Sequence, residues 1–193
     1  MTLNLNYSDF SSRPVRMEDA EMMLEWRNRE AVREGMFHSR KLTIEEQIPW
    51  LQGRIDAPDC FYYIFEHQGR PCGVFGVYDI DAETGIGEWV FFMGPGEPGL
   101  PRGAGAAMEF LALDTFFGVH GLRRLVGRTL KSNARVWKMH ERFGFTMEGC
   151  LREHVLKDGE YIDLMYIGMF AREWQAIRGT HFRELFAPEA ATS

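Results

Sequence analysis

Arg102-Gly103-Ala104-Gly105-Ala106-Ala107 stands where a turn-rich stretch, Gly94 to Pro101, gives way to an apolar helix. The first four N–H groups of a helix have no partner within it and carry partial positive charge, so they suit an anionic phosphate. Gly103 and Gly105 lack a Cβ, and Ala104, Ala106 and Ala107 are small, so a phosphate can come close to the backbone. Arg102 adds a charge-assisted donor. The same small residues equally suit the start of a packed helix with no ligand, and composition alone leaves both readings open. Two other phosphate loops are excluded: the dinucleotide fingerprint needs a third glycine at position 108, which is Met108, and no Gly-Lys-Ser/Thr is present. The 6 histidines show no paired ligand spacing, so no metal is expected. Cys60, Cys72 and Cys150 have no evident activating neighbour, which argues against a covalent cysteine nucleophile.

The elements that must position this turn are legible from periodicity. Residues Glu18 to Glu30 place Met22, Met23 and Trp26 together on one helical face. Thr43-Ile44-Glu45-Glu46 fits a capping box opening a second helix that ends near Gly53, with Pro49 marking it as short or kinked. Arg13 to Arg16 makes a short extended start, and Phe61–Glu66 and Val74–Ile80 read as a hairpin around Gln68-Gly69-Arg70-Pro71. Ile86–Met93 is a third strand of that group, and the apolar helix after the glycine turn runs to about Phe117. Arg123–Leu130 reads as a strand, and Ala134–Phe143 as a helix with Val136, Met139, His140 and Phe143 on one face. A last hairpin turns at Asp158-Gly159 between Phe145–Leu156 and Tyr161–Met169. A helix follows from Phe170, and the tail from about Phe182 is expected to fray. The order β-α-α-β-β-β-α-β-α-β-β is mixed α+β.

At 193 residues the chain fits one domain, 1–193, with about 181–193 as a flexible tail. It is 45% hydrophobic and 13% aromatic, enough for a real core, and 22 basic against 28 acidic residues give a net charge of −6. That balance argues against non-specific nucleic-acid binding. No apolar run approaches a membrane span, Met1 to Ser12 lacks a signal-like core, and 3 cysteines make no closed disulfide framework, so a cytoplasmic protein is expected.

Arg102-x-x-Gly105-x-Ala107 matches the R/Q-x-x-G-x-G/A signature of the GNAT acetyltransferases. Phe117-x-x-x-Gly121-Leu122-Arg123-Arg124-Leu125 and the run from Asn133 to Phe143-Gly144-Phe145 resemble the strand and helix that follow it in that family. Glu148-Gly149-x-x-Arg152 and Asp158-Gly159-x-Tyr161-x-Asp163 resemble its ribosomal-protein-type branch. The resemblance spans roughly Arg13 to Trp174. It implies a mostly antiparallel twisted sheet flanked by helices, with a splayed strand pair that admits acetyl-CoA as co-substrate. By the same resemblance, amides of Gly103–Ala107 would hold the pyrophosphate beside Arg102, the strand edge ending at Phe92 and Met93 would pair with the pantetheine arm, and Asn133 would contact that arm. Arg142 is in reach of a phosphate, and is equally well explained as a solvated helix arginine.

At position 140 the family usually has a tyrosine that protonates the CoA thiolate; here it is His140. Histidine donates a proton near neutral pH, and its apolar neighbours also permit an interior structural histidine. Glu88 lies on the strand leading to the cofactor edge, where related enzymes often place a carboxylate base acting directly or through water; an exposed strand carboxylate is the alternative. In the amino-terminal third, Glu25-Trp26-Arg27-Asn28, Val32-Arg33-x-x-Met36 and Glu45-Glu46-Gln47-x-x-Trp50 resemble the enzymes that acetylate the 4-amino group of a UDP-linked amino sugar in pseudaminic acid biosynthesis, though those commonly have histidine where Gln47 stands. Trp26, Arg27, Asn28 and Trp50 are then candidates to bind a nucleotide-linked sugar, with Trp26 equally readable as core. The resemblance implies direct acetyl transfer to a primary amine of a small molecule, with a homodimer as one assembly it allows. Acetylation of a protein N-terminus and a non-catalytic acyl-CoA-binding module remain as alternatives.

Overall fold

The computed structural model describes residues 3–95 and 99–186. Seven strands form one sheet: β1 (Phe10–Pro14), β2 (Phe61–His67), β3 (Arg70–Asp81), β4 (Ile86–Met93), β5 (Arg124–Leu130), β6 (Thr146–Lys157) and β7 (Glu160–Phe170). Their spatial order is β1-β2-β3-β4-β5-β7-β6, and every neighbouring pair is antiparallel except β4 with β5. Six helices accompany the sheet among the described residues: α1 (Ala20–Asn28), α2 (Glu30–Arg33), α3 (Ile44–Asp56), α4 (Ala104–Leu113), α5 (Ala134–Arg142) and α6 (Ala171–Leu185). None of them is long and apolar enough to cross a membrane.

Both short hairpins follow from their turn residues. Gln68-Gly69 and Asp158-Gly159 have positive φ at both central positions (50° and 73°, 52° and 86°), the backbone that matches the right-handed twist of paired strands. Strand alternation then feeds two cores on opposite faces of the sheet. Ile64 and Val74 pack with Met23, Trp26 and Leu51 of α1 and α3, whereas Phe65 and Phe75 pack with Phe110 and Phe116 after the glycine turn and with Trp174 of α6.

Three expectations are corrected. The extended start lies at Phe10–Pro14 rather than Arg13–Arg16, because its register with β2 runs from Phe10 opposite His67 to Pro14 opposite Tyr63. Helix α3 continues through Pro49 to Asp56: the Thr43–Glu46 box closes its start, and fully buried Leu51 anchors it to α1. The tail does not fray at Phe182, since α6 runs to Leu185 and Phe186 is 2% exposed against Tyr7, Phe10 and Phe110. Its last carbonyls accept from the amides of Leu3 (to Glu184) and Leu5 (to Leu185), both at 2.9 Å. Residues 187–193 of the expected tail lie outside the described residues. The helix after the glycine turn passes at Asp114 into a π-helical turn, Asp114–Val119, where the Asp114 carboxylate accepts from Trp174 Nε1 and Arg178.

Candidate active site

The parallel pair β4 and β5 stays together only over Ile86–Glu88 opposite Arg124–Val126. Beyond it β4 remains paired with β3 as far as Met93, and β5 with β7 as far as Leu130, so the two strands splay apart. The β5-facing backbone edge of Trp89–Met93 is left open, a row of N–H and C=O groups that an extended ligand can join as an added strand. A cavity of about 400 Å³ occupies this gap. It brings together Glu88, Phe92 and Met93 of β4, Gly105 of α4, and Asn133 and His140 around α5. These are six of the residues singled out from sequence.

At the glycine turn, Gly103 adopts φ +100°, and an added Cβ there would lie 2.6 Å from Leu3 Cδ1. The amides of Ala104, Ala106 and Ala107 already donate to the carbonyls of Pro101 and Gly103, at 2.9–3.1 Å. The Gly103 and Gly105 amides have no acceptor among the described residues, and a Cβ at Gly105 would meet nothing within 4 Å. Five expected phosphate-binding amides therefore narrow to those of Gly103 and Gly105, of which Gly105 lines the cavity. That free donor and the empty space above it fit the pyrophosphate of a CoA group. Arg102 and Arg142 are exposed and stand outside the cavity lining, Arg142 on the solvent face of α5.

His140 is 4% exposed. Its ring stands edge-on to Trp89 (centroids 4.7 Å) and Phe91 (5.2 Å) and packs against Phe145 (5.3 Å). Nδ1 lies 2.8 Å from Oε1 of Glu109, a fully buried residue of α4. Glu88 Oε1 accepts from the Tyr78 hydroxyl at 2.5 Å and from Arg128 Nε at 2.7 Å. Burial, then the carboxylate beside it, pushes the Tyr78 phenol up to about 12, and the Glu88 hydrogen bond raises the Arg128 guanidinium further above its ordinary value. Glu88 is therefore a carboxylate already braced by two donors rather than a solitary strand residue.

The expected acceptor residues fare differently. Trp26 is 4% exposed in the α1–α3 core, where an added Cβ on Gly94 would come within 2.8 Å of its ring, so the core reading holds and no face is free for stacking. Both ends of the Asn28 amide are taken by Leu42, donating Nδ2–H to its carbonyl and accepting its N–H, each at 2.8 Å. Asn28 thus clamps the loop after α2 with both ends of its amide. Its replacement by alanine is expected to lower stability by about 1–2 kcal/mol, read by denaturant unfolding, with a raised KM for the acceptor but not for acetyl-CoA. Trp50 stands on α3 edge-on to Tyr62, with the Arg54 guanidinium 6.0 Å from its ring, away from the cavity. Arg27 is half-buried, and its Nη1 has no hydrogen-bond partner among the described residues. Burial and the neighbouring Arg40 lower its pKa; burial with Arg27 and Arg40 lowers that of His38.

Sequence reasoning missed Glu109, Tyr78, Arg128, Gly35 and Phe37. Gly35 and Phe37, after α2, line the cavity; an added Cβ at Gly35 would lie 2.7 Å from Asn133 Nδ2, and Arg128 sits 5.7 Å over the Phe37 ring. Only Glu109 left a signal, as the one charge between Ala104 and Leu113.

A family model described as an acetyltransferase (GNAT) domain matches residues 13–166. The chain belongs to the GNAT acetyltransferase family. It is an acetyl-CoA-dependent N-acetyltransferase. It is similar to the SPbeta prophage-derived uncharacterized N-acetyltransferase YokL of Bacillus subtilis (strain 168), 22% identical over 130 residues that make up 67% of this chain and 72% of that protein. Among solved structures, the fold is similar to spermidine N-acetyltransferase from Vibrio cholerae in complex with CoA and spermine, with a TM-score of 0.79, 18% identity, and coverage of 87% of this chain and 99% of that one. A dodecameric structure of spermidine N-acetyltransferase from Vibrio cholerae gives 0.72 and 18% identity, over 86% and 96% of the two chains.

Proposed function

We propose that this GNAT enzyme acetylates a primary amine on a small molecule that also carries an anionic group, a nucleotide-linked amino sugar of the pseudaminic acid type fitting best. The observation that carries this reading is a group of cations beside the cavity rim formed by residues 32–37, whose one acid is Glu34, most of them without a carboxylate partner among the described residues. Arg33 donates only to the carbonyls of Asn28 and Ser39, and Lys157 only to those of Arg33 and Glu34. Arg27 has a buried nitrogen without a partner, and Arg40 alone of the group is paired with a carboxylate, Glu46, at 2.7 Å. Clustered cations of this kind attract phosphate and repel a polycation such as spermidine. The similarity to spermidine acetyltransferases keeps polyamines as the competing substrate class.

In this reading the amine enters beside Glu88, whose carboxylate receives the ammonium proton directly or through water. The amine nitrogen then attacks the thioester carbonyl, and His140 supplies the proton that the leaving thiolate takes. The test is CoA release with acetyl-CoA and, in turn, a UDP-linked 4-amino sugar, spermidine and an N-terminal peptide. The sugar nucleotide is expected to be turned over with the largest kcat/KM, and Arg27→Gln to raise its KM while leaving that of acetyl-CoA alone. Preferred turnover of spermidine overturns the anionic-acceptor reading. Turnover of peptides alone favours protein N-terminal acetylation, and acetyl-CoA binding without turnover on any amine favours a non-catalytic module.

A further inference from the structure

Glu109 projects from a helix segment whose other residues, Ala104 to Leu113, are apolar or small, and its side chain is fully buried. A carboxylate held there is strongly disfavoured unless a partner offsets it. Oε1 has such a partner in His140 Nδ1 at 2.8 Å; Oε2 has none among the described residues. His181 of α6, stacked on Phe143, lies within Coulomb range of Glu109 without bonding to it. The 2.8 Å contact suits an Nδ1–H that donates to a carboxylate oxygen, and the contacts of Trp89, Phe91 and Phe145 hold the ring against rotation.

We propose that Glu109 is a positioning residue for acetyl transfer: it holds the Nδ1–H of His140, so that Nε2 is turned to the cavity as the donor of the proton that the CoA thiolate takes. The proposal rests on the reading of His140 as that donor. As the C–N bond forms, the C–S bond breaks and its electron pair stays on sulfur. The step starts from the imidazolium, protonated on both nitrogens: the Nε2 proton passes to the thiolate, leaving a neutral ring whose Nδ1–H still donates to Glu109. The proton shed by the amine makes up the balance, and the ring is recharged from solvent. A carboxylate that orients a histidine is the recurring device for fixing a tautomer, and here it comes from the same helix that carries the phosphate turn.

Glu109→Gln keeps the shape of the side chain and removes its charge. Its kcat is expected to fall about 10–100-fold, by analogy with carboxylates that orient metal-bound histidines, with the KM for acetyl-CoA and the acetyl-CoA-induced melting shift unchanged. In a His140→Asn background the same substitution is expected to cause no further loss. Imidazole ¹⁵N NMR on the unmodified protein is expected to show His140 protonated at Nδ1, a readout that stands even where Glu109→Gln does not fold. Wild-type kcat in Glu109→Gln, an additive loss in the double variant, or a ring carrying its proton on Nε2 alone overturns the proposal. A His140→Asn variant with wild-type kcat overturns the reading of His140 as well, whereas an impaired His140→Asn beside an unimpaired Glu109→Gln overturns the role of Glu109 alone.

Discussion

Replacing His140 by asparagine is expected to lower kcat and kcat/KM together by ~10²–10⁴-fold while acetyl-CoA binds as before. Asparagine places its amide near the position of Nδ1, so the Glu109 carboxylate keeps a donor, and only Nε2 is lost. A thiolate is a good leaving group, which puts the expected loss toward the lower end of that range. Alanine is a poorer probe, because it leaves a fully buried carboxylate without its partner, a change that costs ~3–5 kcal/mol of stability. For the same reason His140→Tyr, which restores the family's usual acid, is expected to recover activity only with Glu109→Gln beside it. The measurement is kcat per folded molecule. Unchanged turnover in His140→Asn removes the histidine from the mechanism and leaves water as the proton donor.

Acetyl-CoA at ~100-fold its dissociation constant is expected to stabilise the fold by about 2.7 kcal/mol, which for a chain of this size raises Tm by about 5–10 °C. Gly105→Val is expected to abolish that shift. The unliganded protein tolerates the change, since an added Cβ at Gly105 meets nothing within 4 Å and valine is no worse a helix former than glycine. The same side chain stands in the space over the free Gly105 amide, where the phosphate must come. Gly103→Ala is the contrasting control: a φ of +100° and a contact of 2.6 Å with Leu3 make it destabilise the protein with or without ligand. A full ligand-induced shift in Gly105→Val sinks the assignment of the turn.

Local chemistry made the elements legible. Turn residues at Gln68-Gly69 and Asp158-Gly159, the Thr43–Glu46 box and the apolar periodicities each depend on neighbours within a few residues, so strands, helices and the phosphate turn could be placed in order. Where local rules failed, distant contacts had outweighed them. Pro49 is carried through α3 by Leu51, and the chain end is held by Phe186 and the amides of Leu3 and Leu5. The motif at 102–107 marked the cofactor turn, but which amides are free depends on where the carbonyls of Pro101 and Gly103 point, and only the fold fixes that. Trp26 and Asn28 carry side chains suited to binding, and tertiary packing spends both on the protein itself.

The acid–base groups divide in the same way. The sequence by itself determined that a histidine stands where the family has a tyrosine and that one acid interrupts an apolar helix. That His140 and Glu109, 31 positions apart, meet at 2.8 Å was decided by the fold, which brings one side chain of α5 to one of α4. That Glu88 is braced by Tyr78 and Arg128 was decided by the register of three strands. Periodicity reports which face of an element is buried, whereas the partner of a buried polar group comes from another element, and its identity is set only when those faces close on one another.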